Sequence, residues 1–233
     1  MSGKFLAVDF GTTSTKSALV DLDTGVYSHL RRHPALPTAA TVPGHHEVNL
    51  DAIRQRFELI CGDAWSVAPF DGIVVCSEMH GLALLHPDTG SPLTQYVSWL
   101  DARALESIDG VRTVDAVQNR LGDDRFRQLT GMRPRPGFPL LNLIHCARTM
   151  DLPNEVVVVS LPGWLATAAG NTSPPEHPTV LAGMALYDVV AGTCSAELLD
   201  VVRDIGGINA RIGSPAADTT VAGFWRGPDG PVP

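Results

Sequence analysis

An α/β fold follows from three features of the sequence. Apolar runs with strand character alternate with segments whose apolar residues recur at helical spacing. The run Phe70 to Cys76 (FDGIVVC) has the short, continuously apolar character of a parallel strand buried on both faces. Near the start, Phe5-Leu6-Ala7-Val8 and Ala18-Leu19-Val20 flank a turn of Gly11 and hydroxyl residues, which predicts a β-hairpin.

The elements then follow in order. Val20 to Tyr27 continues the second strand through the turn residues Asp21, Asp23, Thr24 and Gly25. Residues 31–46, rich in Pro, His and Ala without period, predict a loop. Asn49 is a capping residue ahead of Leu50, Ile53, Phe57, Ile60 and Cys61, which form a helical stripe. Beyond the 70–76 strand, Gly81 to His86 resumes as strand, Pro87-Asp88-Thr89-Gly90 turns, and Pro92 to Trp99 leads into another strand. Residues 102–129 predict a helical region, striped by Leu105, Ile108, Val114, Val117, Leu121, Phe126 and Leu129. The segment RPRPGFP (133–139) cannot be helix, and Leu140 to Thr149 returns to one. Glu155 to Ser160 (EVVVVS) is a core strand, Gly163 to Ala169 a short helix, 173–178 a Pro-rich loop, and Ala196 to Asp204 a final helix. The Gly- and Pro-rich composition beyond predicts one main domain over 1–205, with 206–233 as a linker or the start of a further domain.

With 233 residues the chain can bury about 70–75% of its unfolded surface. Net charge −8 and a pI near 5.4 argue against a nucleic-acid or anionic-membrane partner. The four cysteines (Cys61, Cys76, Cys146, Cys194) include no CxxC pair and read as buried, reduced thiols. There is no basic-then-apolar leader and no apolar stretch of about 18 residues, so the expected setting is soluble and cytoplasmic.

Chemistry concentrates at three places. In DFGTTSTK (9–16), Gly11 lets the backbone approach a ligand and adopt positive φ. Thr12, Thr13, Ser14 and Thr15 supply hydroxyls, the turn's N–H groups can cradle an anion, and Lys16 adds a point charge. Asp9, at the end of a strand, is where a hydrated Mg²⁺ finds an oxygen ligand. This pattern is not a P-loop, because it lacks the GxxxxGK[ST] spacing and its acid precedes the glycine. A plain surface hairpin, with the hydroxyls satisfying the turn, is the competing reading. Next, Ser77-Glu78-Met79-His80-Gly81 follows a strand, where α/β proteins place ligand contacts. Ser98-Trp99-Leu100-Asp101-Ala102-Arg103 then offers one apolar plate, one acceptor and one forked donor, the mixture a polyhydroxylated sugar requires.

The opening hairpin resembles the first phosphate-binding hairpin of the actin-like ATPase superfamily, which includes sugar kinases, 70-kDa heat-shock chaperones and actin. The ordered set DFGTTSTK, EMHG and WLDAR resembles the FGGY family of carbohydrate kinases. Met79-His80-Gly81 is similar to the QMHG of xylulokinases, and SPLTQYVSWLDAR to the matching stretch of gluconokinases. Looser likenesses at 44–53, 130–138 and 186–199 extend the resemblance over residues 4–225.

The resemblance implies an actin-like (ribonuclease H-like) domain, a mixed sheet with flanking helices, and the cofactors ATP and Mg²⁺. Asp9 would hold the metal, and Gly11, Thr12, Thr13, Ser14 and Lys16 the transferring phosphate or its nucleotide. Met79 and His80 would touch the sugar, Trp99, Asp101 and Arg103 would shape its pocket, and Phe138 would line it. Each has a plainer reading: His80 as a hydrogen-bonded core histidine, Trp99 as core, Arg103 as a structural ion pair with Asp101. Departures from the family pattern fall on Glu78, which replaces Gln, on Leu100, and on Asn142, which replaces Lys.

The family's catalytic-base Asp and adenosine site belong to a second domain. The chain is therefore expected to be the sugar-binding half of a kinase acting on a ketose, sugar acid or polyol, with no catalytic base of its own and little turnover alone. A second chain could supply the other half, and a homodimer is compatible with the sequence. Two other functions compete: a non-catalytic sugar-binding or sensing relic of a kinase, and an ATP-switched chaperone or filament module.

Overall fold

The computed structural model describes residues 2–39, 42–167 and 172–233. Ala168 and Ala169, predicted to end a short helix, lie outside these residues.

Strands β1 (Lys4–Phe10) and β2 (Ser14–Asp21) form the predicted antiparallel hairpin, with Lys4 opposite Asp21 and Phe10 opposite Thr15. Strand β3 (Val26–Pro34) pairs antiparallel with β2, with a bulge between Ser17 and Leu19. It carries strand through Arg31 to Pro34, where a loop was expected. Backbone pairing extends it there, and a segment of Arg, His and Pro shows no apolar alternation to announce it.

A short strand β4 (Glu47–Val48) leads into α1 (Leu50–Val67). Asn49 caps that helix, its side chain accepting from the Ala52 N–H at 2.8 Å. Strand β5 (Gly72–Ser77) then lies parallel to β1 and completes a mixed sheet in the order β3-β2-β1-β5. Leu6, Val8 and Phe10 pack toward Ile53, Ile60 and Cys61 of α1. The opposite face is open. Val74 and Cys76 are exposed there, so β5 is a half-covered edge strand and not the doubly buried one expected. For the same reason the expectation of four buried thiols fails at Cys76, and Cys194 is only half-buried, whereas Cys61 and Cys146 are fully buried.

Strand β6 (Ala83–Leu85) is followed by β7 (Tyr96–Val97), which pairs with β4. The region expected to be helical over 102–129 is divided. It holds a 3₁₀ turn (Arg103–Leu105), a hairpin of β8 (Ser107–Ile108) and β9 (Val111–Arg112), then α2 (Thr113–Leu121) and α3 (Asp123–Thr130). Asp109 (φ 52°) and Gly110 (φ 83°) make the two-residue turn, for which Asp-Gly is the favoured pair. Gly122 at φ 79° separates the two helices.

Helix α4 (Pro139–Thr149) starts with Pro at its first position. Then come β10 (Glu155–Val159), α5 (Leu161–Ala166), α6 (Pro178–Gly183), β11 (Tyr187–Asp188), β12 (Thr193–Cys194), α7 (Ala196–Gly206) and β13 (Asn209–Ile212). A second sheet, β13-β10-β6, divides two apolar cores. Val156 and Val158 face the core built by α2, α3, α4 and α7, while Val157 and Val159 face the core under α1. Strand β10 is thus buried on both faces, as its unbroken valine run predicts.

The last residues form β14 (Trp225–Gly227) and β15 (Gly230–Val232). The 206–233 stretch contributes β13 to the second sheet and Trp225 to the core under α1. Trp225 stacks on Phe70 at 5.7 Å, and its indole N–H donates to Glu58.

Candidate functional site

Parallel pairing of β1 with β5 sets Asp9 beside Cys76 and Phe10 beside Ser77, so both strands end at the same edge. The Glu78 N–H donates to the Phe10 carbonyl at 2.8 Å, which brings the Glu78-Met79-His80 segment against the hairpin turn.

At the turn, the Gly11 N–H donates to the Ser14 carbonyl at 3.1 Å. Gly11 does not have the positive φ its sequence context suggested. The turn is tight there instead: a Cβ would lie 3.1 Å from the Ser14 oxygen. Thr12, Thr13 and Lys16 are exposed, whereas Ser14 is buried at the start of β2. Asp9 alternates with Val8 and Phe10, so its side chain leaves β1 on the open face. Its carboxylate is 49% exposed and has Lys16 Nζ 3.9 Å away, a loose pair.

Three side chains lock the turn to the later motifs. Thr12 Oγ1 donates to Glu78 Oε2 at 2.7 Å, Ser98 Oγ donates to Glu78 Oε1 at 2.8 Å, and the Trp99 indole N–H donates to Thr12 Oγ1 at 2.9 Å. The Trp99 ring stays 41% exposed, so it is a plate at the surface rather than core. Gly137, at φ 87°, passes so close to the Trp99 carbonyl that a Cβ would meet it at 2.1 Å. That approach delivers Phe138, buried, with its ring 4.9 Å from His80 and the Arg135 guanidinium 4.8 Å away over its face.

His80 is itself left-handed, at φ 66°. Its Nδ1 lies 2.5 Å from the Gly183 carbonyl, which only accepts, so Nδ1 carries the proton. In the neutral ring, Nε2 is then an acceptor. Met79 is 56% exposed beside it. Gly81 must follow, because a Cβ there would clash with the Tyr96 hydroxyl at 1.9 Å.

Asp101 and Arg103 behave differently. Both are buried. Arg103 Nε and Nη2 reach the two Asp101 oxygens at 2.8 and 2.9 Å, Nη2 also meets Glu47 Oε1 at 2.5 Å, and Nη1 meets Cys146 Sγ at 3.3 Å. The His46 N–H completes the shell of Asp101 at 2.8 Å. Burial works against both charges, yet the hydrogen bonds outweigh it: the Asp101 pKa is lowered and the Arg103 pKa raised. The ion pair of Arg103 with Asp101, the plainer reading of the sequence, is present. The pair holds the segments at 46–47 and 98–103 together, and its donors and acceptors are committed to that.

Sequence reasoning noted Glu78 only as a departure from the family pattern and did not name Tyr96 as a site residue. A cavity of about 140 Å³ beside the turn is bounded by Gly11, Thr12, Glu78, Ser98, His46 and Tyr96, among others. The Tyr96 hydroxyl is fully buried with no hydrogen-bond partner among the described residues, and burial, then the charge of Glu78, pushes its pKa well up. Glu78 left a signal in the sequence, as the position where EMHG departs from QMHG. Tyr96 left none, since only the fold sets it under Gly81.

Comparison with known proteins settles the family. Residues 4–147 match the N-terminal domain of the FGGY family of carbohydrate kinases. The chain belongs to that family. It is 29% identical over 154 residues to the apulose kinase of Pectobacterium atrosepticum, an alignment covering 65% of this chain and 29% of that protein. In structure it resembles the gluconate kinase of Lactobacillus acidophilus (TM-score 0.79, 22% identity, 94% of this chain and 43% of that one). The ligand-bound xylulose kinase of the same organism gives 0.78, at 22% identity and the same coverage. Plasmodium falciparum glycerol kinase with ADP gives 0.77 at 14% identity, covering 98% of this chain and 47% of that one. These likenesses show the actin-like ATPase fold. The chain spans less than half the length of each of these relatives.

Proposed function

We propose that this FGGY-family chain is the sugar- and phosphate-binding half of an ATP-dependent carbohydrate kinase that phosphorylates a hydroxyl of a ketose, sugar acid or polyol. The observation that carries this reading is the Trp99–Thr12 hydrogen bond, which joins the exposed plate of one motif to the turn of another. His80 packs on the buried ring of Phe138, whose neighbour Gly137 lies against the Trp99 carbonyl.

The residues present fit Mg²⁺ and ATP. Asp9 is a half-exposed carboxylate whose oxygens are not saturated, which suits a cation that keeps several waters and takes the rest of its ligands from phosphates. Thr13 and Lys16 stand exposed beside a tight glycine turn whose N–H groups can cradle an anion. Bound there, Mg²⁺ and ATP would supply the phosphoryl group and neutralise charge as it transfers.

The chain's own residues would bind and orient. Lys16 and the turn N–H groups would hold phosphate oxygens, and Trp99 would stack on the C–H face of the sugar. His80 Nε2 would accept a hydroxyl proton in a hydrogen bond, while Met79 closes one side. Asp101 and Arg103 would act from behind, by fixing the segment that carries Trp99. The general base, worth about 10²–10⁴-fold, and the adenosine site would come from a C-terminal half. In this arrangement 1–205 is the binding domain, and 206–233, packed on it, is the passage toward the second.

Calorimetric titration of D-xylulose, D-gluconate and glycerol tests the reading. At least one should bind, and His80→Ala should weaken it about tenfold, or about 1.4 kcal/mol. No binding by any of the three, or equal binding by His80→Ala, would overturn it.

A further inference from the structure

The bonds around Glu78 have a fixed direction. The Trp99 indole nitrogen can only donate, so Thr12 Oγ1 accepts from it at 2.9 Å. The single Thr12 proton must then go to Glu78 Oε2, which lies 2.7 Å away and only accepts when ionised. Ser98 Oγ gives its proton to the other oxygen, Oε1, at 2.8 Å. Glu78 is in turn anchored to β1 by its own N–H on the Phe10 carbonyl. Among the described residues no Lys, Arg or His pairs with this carboxylate, so hydroxyls alone hold it. Bonds to an ionised acceptor are short and strong compared with neutral ones.

We propose that Glu78 is a positioning residue that locks Trp99 through Thr12, making the sugar plate and the phosphate turn one mechanical unit. This rests on the proposed sugar and phosphate sites and deepens that reading. It has a chemical corollary. While the relay is intact, the Thr12 hydroxyl has no proton to offer a phosphate, so anion binding at the turn falls to backbone N–H groups, Thr13 and Lys16.

Replacement of Glu78 by Gln preserves the lock. The amide oxygen accepts the Thr12 proton, and the amide nitrogen donates to Ser98 Oγ, which reverses its role. Leucine has neither group. Thr12→Ser keeps the hydroxyl and Thr12→Val removes it.

The test uses acrylamide quenching of the Trp99 emission, isolated by subtracting Trp99→Phe from each parent, together with calorimetric titration of D-xylulose. Thr12→Val and Glu78→Leu should raise the Trp99 quenching constant about twofold, while Thr12→Ser and Glu78→Gln stay within about 20% of wild type. Circular dichroism confirms that each variant is folded. D-xylulose affinity should fall about tenfold in Glu78→Leu and less than threefold in Glu78→Gln. Wild-type quenching in Thr12→Val, or equal loss in Glu78→Gln and Glu78→Leu, overturns the lock. A wild-type chain that binds no D-xylulose but shows the quenching pattern keeps the lock and removes that sugar from the site.

Discussion

Asp9–Lys16 and Asp101–Arg103 are both acid–base pairs close in sequence, and the fold gives them opposite surroundings. The first pair is about half exposed and 3.9 Å apart on the open face of the main sheet. The second is buried, bidentate, and shared with Glu47 and Cys146. A loosely paired exposed carboxylate keeps oxygens to offer a ligand, and it contributes little to stability. A saturated buried pair has nothing left to offer, and removing one partner strands the other charge in a poorly solvated place. Asp9 thus keeps hydrogen-bonding capacity that Asp101 has spent.

The strongest challenge to that contrast is Arg103→Leu. It should cost about 3–5 kcal/mol in urea unfolding, with the double variant Asp101→Leu/Arg103→Leu less damaging than the sum of the singles. A loss below about 1 kcal/mol for Arg103→Leu would erase the distinction.

Acidity sharpens it next. The folded pKa of Asp101 is lowered, so its stabilisation is complete above the unfolded value of about 3.9 and is lost as pH falls through the folded one. Glu176 carries the opposite sign. Burial raises its pKa despite hydrogen bonds from the Ser160 N–H and hydroxyl, so stability declines as pH rises from its usual range near 4.5 toward the raised value. The two groups thus act on opposite flanks of the pH profile. Glu176→Gln should flatten the alkaline side and Asp101→Asn the acidic side, read from urea midpoints between pH 3 and 8.

The smallest change in stability belongs to Asp9→Ala and Lys16→Ala, within about 0.5 kcal/mol each. Their effect should appear in ligand binding instead: affinity for Mg²⁺-ATP should fall tenfold or more in equilibrium dialysis. Unchanged binding would move the phosphate site away from the turn.

Local signals were readable where the element carried its own cause. The β1–β2 hairpin, the Asn49 cap and the doubly buried valines of β10 all announce themselves in a few adjacent residues. Strand β3 past Arg31 does not, because its backbone bonds come from β2 and most of its side chains face water. The hairpin at 107–112 was legible in its Asp-Gly pair but was masked by apolar residues that happen to recur at helical spacing. Of the candidate site, His80 and Phe138 were named from separate motifs and pack on each other, and Gly137 brings the Phe138 segment against the Trp99 carbonyl. The burial of Asp101 and Arg103 was not legible, since it depends on Glu47 and Cys146, more than forty residues away in either direction.

The left-handed backbone of His80 gives that residue two separable jobs. A non-glycine residue at φ 66° is strained by about 1–2 kcal/mol, and the imidazole clamp on the Gly183 carbonyl helps hold the bend. Truncation to alanine deletes ring and clamp together, so a lost ligand could report a relaxed loop as readily as a missing contact. Asparagine tolerates the same backbone while shortening the reach. Paired with the alanine variant, His80→Asn would tell the shape of the loop apart from the chemistry at its tip.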